Sequence, residues 1–337
     1  MILTLALLLG SAIVIYLACE YFVNGVEWVG HRFGVSRTAV GTVLAAFGTA
    51  LPESVVTLVA VVFGKTPDAK DIGVGAALGG PLALSTLAYA VVGAMFLVDR
   101  ARQQSKIAQE FSTTRLAHDQ AWFLGVFVFK VALGLVAFAW KPWLGGLFLA
   151  AYALYVWREL RGEGGEGDGD VGASDEFEPL KLRPHAEHPS TLWAVLQTGG
   201  ALVVIFFASQ LFVRQLEAVG PWLGMSPQLV ALLLSPIATE LPEILNAVIW
   251  VRQGKTELAL GNISGAMMIQ ATVPSALGIF FTPWVLGAPL LWGAAITMVA
   301  IVVMLVLLKC HALTAKRLFA MAGLYAVFAG GVALRFH

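Results

Sequence analysis

The sequence predicts an all-α integral membrane protein, with ten transmembrane helices arranged as two inverted five-helix repeats. Three observations carry that prediction. Hydrophobic residues make up 58% of the chain and charged residues 12%, and the mean hydropathy is +0.81, far from a soluble globular domain. Ten apolar runs come close to or exceed the roughly 20 residues that cross a bilayer. The second half also repeats the first at an offset of 190 residues: Phe22-Val23 falls on Phe212-Val213, Glu27 on Glu217, Gly34 on Gly224 and Gly64-Lys65 on Gly254-Lys255.

In chain order, the first repeat (1–158) holds spans at 2–27, 38–63, 72–98, 121–139 and 142–158. The first run has no basic leader and is too long for a cleavable signal peptide. The second repeat (191–337) holds spans at 191–218, 227–251, 257–281, 287–308 and 315–335. Five spans per half is an odd number, so the second half enters the membrane from the opposite side. If both termini lie outside, the inner loops carry fifteen lysines and arginines and the outer ones four: Lys65, Lys70, Lys141 and Arg335. That bias fixes the expected orientation and places the chain in the plasma (inner) membrane. Residues 159–190 join the halves and are rich in glycine and acid, which reads as a flexible cytoplasmic linker. Asp168-Gly169-Asp170 offers oxygens for a calcium sensor but lacks the spacing of a full calcium loop. Cys19 and Cys310 read as small core residues, and Glu20 and Lys130 stand isolated, with no role assigned by the sequence.

The chemistry concentrates in two short stretches inside apolar runs, Gly48-Thr49-Ala50-Leu51-Pro52-Glu53 and Ala238-Thr239-Glu240-Leu241-Pro242-Glu243. A charge at the bilayer centre costs roughly 2.5–3.5 kcal/mol on insertion scales. Proline there also removes a helix hydrogen bond. Incurring both costs twice, at equivalent places, points to an ion site built by the repeat. Thr49 and Glu53 are four residues apart and share a helix face, as do Thr239 and Glu243. Each motif thus supplies a carboxylate, a hydroxyl and a carbonyl freed by proline, the oxygen ligands that hard cations take. Glu240 adds a third carboxylate. Three acids at one site do not all stay ionised without a cation, which makes one of them a candidate proton carrier. In the following span Asn262 and Gln270 share a broad face, as ion ligands or as interhelical hydrogen-bonding groups. The matched Glu27 and Glu217 read as gating groups or as helix-end charges. Inverted repeats with interrupted helices are how many secondary transporters build a site at mid-membrane. No nucleophile–base pair and no H-E-x-x-H motif suggests an enzyme. The expected partners are small inorganic cations and the lipid bilayer, with no nucleic acid and no cofactor.

The paired motifs and the glycine-rich spans after them resemble the alpha repeats of the sodium/calcium exchanger family, which read G-T-S-x-P-E and then G-N-x-x-G-S-N. The likeness covers roughly 20–95 and 210–280. It implies ten helices in two inverted repeats, with ions held between the second, third, seventh and eighth. By resemblance, Thr49, Glu53, Thr239 and Glu243 are ion ligands. The chain departs from the pattern at Ala50 and Glu240, where the family has serine. It departs again at Ala76, Gly80 and Leu84 of the first repeat and at Ala266 and Gln270 of the second. The resemblance implies an antiporter that exports calcium against sodium or protons, with proton coupling through Glu240 as a competitor to sodium. The alternatives are a monovalent cation/proton antiporter and a non-transporting membrane protein with a degenerate site.

Overall fold

Proline and glycine punctuation decides where most helices begin and end. The computed structural model describes residues 2–32, 50–98, 113–160, 179–186, 190–252, 254 and 256–335. Helix α1 (Ile2–Arg32) is followed by α2 (Ala50–Phe63), whose last turn, Val59–Phe63, widens to a π-helix. Thr66 then caps α3 (Pro67–Ala83) by accepting from the Ala69 N–H at 3.0 Å, with Pro67 at the first helical position, where its missing N–H costs nothing. Inside α3, Pro81 cannot donate, and the ladder re-forms through a π-turn at Leu84–Ala88 before α4 (Tyr89–Val98). After α5 (Thr113–Leu133), a short 3-10 turn at Lys141–Leu144 leads into α6 (Gly145–Leu160). The long α7 (Thr191–Leu223) ends at Gly224 with φ of +64°, and the Met225 N–H reaches back to the Gly220 carbonyl at 3.2 Å, a glycine stop. Ser226 and Pro227 restart the chain as α8 (Pro227–Thr239), which gives way at Glu240 to α9 (Leu241–Arg252). Helices α10 (Thr256–Phe281), α11 (Ala288–Lys309) and α12 (Ala315–Arg335) complete the chain.

Among the described residues, seven helical stretches are long and apolar enough to cross a membrane. Three expected spans differ. The run at 227–251 is broken in two at Glu240, because Pro242 has no N–H for the carbonyl of residue 238. The run at 142–158 is a helix of only 16 residues. Of the run at 38–63, the described part begins at Ala50. Helix α5 also starts at Thr113 rather than 121, since Arg115, His118 and Asp119 in its first turns mask it from hydropathy.

Helices α1 and α7 lie along one another, and α3 packs on α8, α4 on α12, α6 on α10 and α5 on α11. Burial sorts centre from rim: 83% of the apolar window of α10 and 67% of that of α3–α4 is buried, against 28% for α7 and 22% for α12. The rim helices turn Leu9, Val203, Phe207 and Val327 outward, as lipid-facing surfaces do. Residues 179–186, read as part of the flexible linker, are tied down. The Lys181 N–H donates to Asn24 Oδ1 at 3.0 Å, the Leu182 N–H to Gln197 Oε1 at 2.8 Å, and Leu180 is buried beside Trp28 and Ala194. Glu20 is therefore not isolated; its carboxylate pairs with Lys181 Nζ at 2.9 Å. The rest of the linker, including the Asp168–Asp170 stretch, lies outside the described residues. Of the two cysteines, Cys19 is buried as expected, while Cys310 is exposed at the end of α11.

Candidate functional site

The break between α8 and α9 sits at the buried centre of the molecule. Glu240 caps the end of α8 and is fully buried, as are Glu53 on α2, Ser235 on α8 and Gln270 on α10. The Thr239 hydroxyl lies between the two acids, 2.7 Å from Glu53 Oε2 and 2.9 Å from Glu240 Oε1, with the Ser235 carbonyl at 3.1 Å. A hydroxyl has one hydrogen to give. Three acceptors surround that one hydrogen, so two of them have to draw on another donor or on a cation. Ser235 Oγ reaches Glu53 Oε2 at 3.4 Å, and Gln270 Nε2 donates to Glu240 Oε2 at 2.7 Å. Glu53 Oε1 and Gln270 Oε1 are buried without a hydrogen-bond partner, and such oxygens call for a proton donor or a cation.

Close approach of α3 makes room for this cluster. A Cβ on Gly79 would lie 2.7 Å from Pro236 Cγ. One on Gly80 would lie 2.7 Å from Gln270 Oε1 and 2.9 Å from Glu240 Oε1. A serine at position 80 therefore cannot fit beside the longer side chains that face it.

Of the residues singled out in sequence, Glu53, Thr239, Glu240 and Gln270 come together. Glu243 is fully buried in the first turn of α9. Repeat symmetry pairs Glu53 with Glu243, whereas the structure pairs Glu53 with Glu240, because the helix break turns the α8 end inward. Among the described residues no three His, Cys, Asp or Glu side chains gather in metal-binding geometry. Asn262 stands eight residues before Gln270 on α10, roughly 12 Å along the axis, with its amide nitrogen buried and unpartnered. Thr49 lies outside the described residues, and so does the Glu27 side chain. The Glu217 carboxylate accepts from the Thr66 hydroxyl and so links α7 to the cap of α3.

Two participants were not singled out. Ser235 precedes Thr239 by one helical turn, a spacing visible in the sequence. Lys130, isolated in the sequence, is fully buried on α5; Nζ donates to the Ala77 carbonyl at 3.0 Å and stands 4.6 Å from the Phe127 ring centre. A cavity of about 680 Å³ opens above this point, lined by Thr66, Lys70, Asp71, Val74, Gln228 and Trp284 among others.

The pattern of the sodium/calcium exchanger protein family matches residues 3–160 and 193–333. A protein named as the antiporter CaxA of Alkalimonas amylolytica is 27% identical over 286 residues, which is 85% of this chain and 82% of that protein. Among solved structures, the H+/Ca2+ exchanger CAX superposes with a TM-score of 0.69 at 16% identity, covering 98% of this chain and 82% of that one. The sodium-calcium exchanger NCX_Mj superposes with a TM-score of 0.57 at 19% identity, covering 98% of both chains. At these identities the two structures bear on the fold alone. The match over both halves, with a glutamate of each motif buried against the same threonine, makes this multi-pass membrane protein a member of the sodium/calcium exchanger family.

Proposed function

We propose that the chain is a secondary active antiporter that exports calcium in exchange for sodium or protons by alternating access. The observation that carries this reading is the buried Glu53–Thr239–Glu240–Gln270 cluster, in which two carboxylates meet one hydroxyl and Glu53 Oε1 and Gln270 Oε1 are left without a donor. A site that must hold either a cation or a proton is what exchange of one for the other requires. The family and the names of its exchanger relatives support calcium as the cargo. In this reading Glu53, Thr239, Glu240 and Gln270 meet the ion directly. Glu243 and Asn262 are ligands reached in another conformation of the cycle, and Thr49 is a ligand by the repeat motif.

The architecture proposed with it is ten transmembrane helices in two inverted five-helix repeats, 1–158 and 191–337. The helix contacts support it: α3 packs on α11 as α10 packs on α5, and α4 on α12 as α10 on α6, an exchange of partners that a two-fold relation between the halves produces. The charge bias of the loops supports a cytoplasmic 159–190 and external termini in the inner membrane.

A monovalent cation/proton antiporter is the second reading. Convergence of only two carboxylates on Thr239, in place of three acids, favours it. Flux of calcium in sealed liposomes under imposed sodium or proton gradients separates the two. Uptake driven by either gradient, and lost in Glu53→Gln, is the expected result. Proton-driven sodium flux with no calcium movement would establish the second reading instead.

A further inference from the structure

Lys130 is a fully buried lysine in a helix whose other inward groups are mostly apolar. A buried charge persists only when it is paired or well bonded. The Trp284 indole fixes the backbone by donating to the Lys130 carbonyl at 3.0 Å, while the side chain donates from Nζ to the Ala77 carbonyl at 3.0 Å and lies 4.6 Å from the Phe127 ring centre. An ammonium has three hydrogens, so the Ala77 bond leaves it able to donate further.

Its place along α3 is informative. Val74 lines the cavity, Ala77 takes the ammonium, and Gly80 touches Glu240 and Gln270. Each step is three residues, or about 4.5 Å of helix. Lys130 thus stands between the cavity and the acid cluster, one helical step of α3 from the glycine that faces Glu240 and Gln270.

We propose that Lys130 is a tethered cation of the acid cluster, supplying from the protein one of the positive charges that Glu53 and Glu240 require. One fewer then has to be brought by the ions carried. Two carboxylates with this lysine leave a net single negative charge; the same carboxylates without it leave two. Lys130 is in this way a residue that sets the charge of the cargo. The inference rests on the acid cluster being the ion site, and the test separates the two claims.

The test is equilibrium binding of radiolabelled calcium and sodium to the purified full-length protein in detergent, with monodispersity and thermal melting followed for each variant. Glu53→Gln is expected to weaken cation binding by roughly tenfold or more, since it leaves Lys130 facing a single carboxylate. Lys130→Gln is expected to strengthen binding by a similar factor. The double variant restores the wild-type charge, and its affinity is expected to return to within about threefold of wild type. A purely structural lysine predicts no such rescue, because two lesions in the core then add. A folded double variant that binds no better than Glu53→Gln overturns the tethered-cation role. Wild-type binding by Glu53→Gln overturns the ion site itself. If Lys130→Gln and Lys130→Met do not fold alone, recovery of folding in the double variant supports the charge pairing, and failure to recover counts against it.

Discussion

Gly80→Ala is the most direct probe of the cluster's geometry. The added methyl would stand 2.7 Å from Gln270 Oε1 and 2.9 Å from Glu240 Oε1. A comfortable carbon–oxygen approach is about 3.3 Å or more, so each oxygen has to retreat by roughly half an ångström. Neither is a free end. The Gln270 amide is bonded to Glu240 Oε2 at 2.7 Å, and Glu240 Oε1 to the Thr239 hydroxyl at 2.9 Å. Retreat of Gln270 loosens the bond to the carboxylate, and a hydrogen bond to a charged group is worth about 1.5–3 kcal/mol. That corresponds to a roughly ten- to hundredfold loss of cation affinity. Crowding adds about 1–3 kcal/mol of destabilisation. The assay is the cation dependence of flux in liposomes, read as KM, beside a melting curve in detergent. Gly125→Ala is the control, because a Cβ there meets nothing within 4 Å. A Gly80→Ala protein with KM and melting temperature both at wild-type values would refute the packing that the cluster depends on.

Thr239→Val keeps the shape but removes the hydrogen that two carboxylates share; cation affinity should fall about tenfold or more, while Thr239→Ser should retain most of it, as titration of binding will report. Glu240→Gln should flatten the pH dependence of flux if protons are the coupling ion; an unchanged profile in an active variant returns sodium to that role. Lys141 donates to the carbonyls of Leu133, Val136 and Trp284 at 3.0, 2.7 and 3.1 Å. Lys141→Met should therefore destabilise by about 1–3 kcal/mol with the flux KM unchanged, visible in thermal melting. A cysteine placed in 161–178 should resist an impermeant thiol reagent applied to intact cells; rapid labelling would reverse the proposed orientation.

Much of the architecture is legible in the chain because bilayer length and helix punctuation are local properties. Ser226-Pro227, Thr66-Pro67 and Gly224 mark their helix ends as their chemistry requires. Pro242 marks the break, but the sequence does not say which way Glu240 turns. That depends on where α8 ends, and so the symmetric pairing of Glu53 with Glu243 was the natural expectation from the repeat. Lys130 was illegible for another reason. No motif surrounds it, and its meaning lies in contacts with Ala77 and Trp284, 53 and 154 residues away. The polar first turns of α5 and the docking of Lys181 on Glu20 were hidden in the same way, being decided by partners distant in sequence.

The departures from the family pattern bear on whether the site has decayed. Taken singly, glycine at 80, glutamate at 240 and glutamine at 270 look like three lost ligands. In space they are one arrangement. Gln270 reaches far enough to donate to Glu240 at 2.7 Å, and its other amide atom fills the volume that a side chain at Gly80 would take. Glu240 in turn needs that donor, since the Thr239 hydrogen cannot serve it and Glu53 together. Decay by independent loss leaves gaps and orphaned donors. Within the cluster each enlargement meets a matching reduction, and the atoms left over there are oxygens, Glu53 Oε1 and Gln270 Oε1, while the unpartnered amide nitrogen of Asn262 stands about two helical turns away along α10. Unpartnered buried oxygens cost about 1–3 kcal/mol each, and beside a pair of carboxylates, Glu53 from the first half and Glu240 from the second, they are what the proposed cation site would use and what a non-transporting pocket would not.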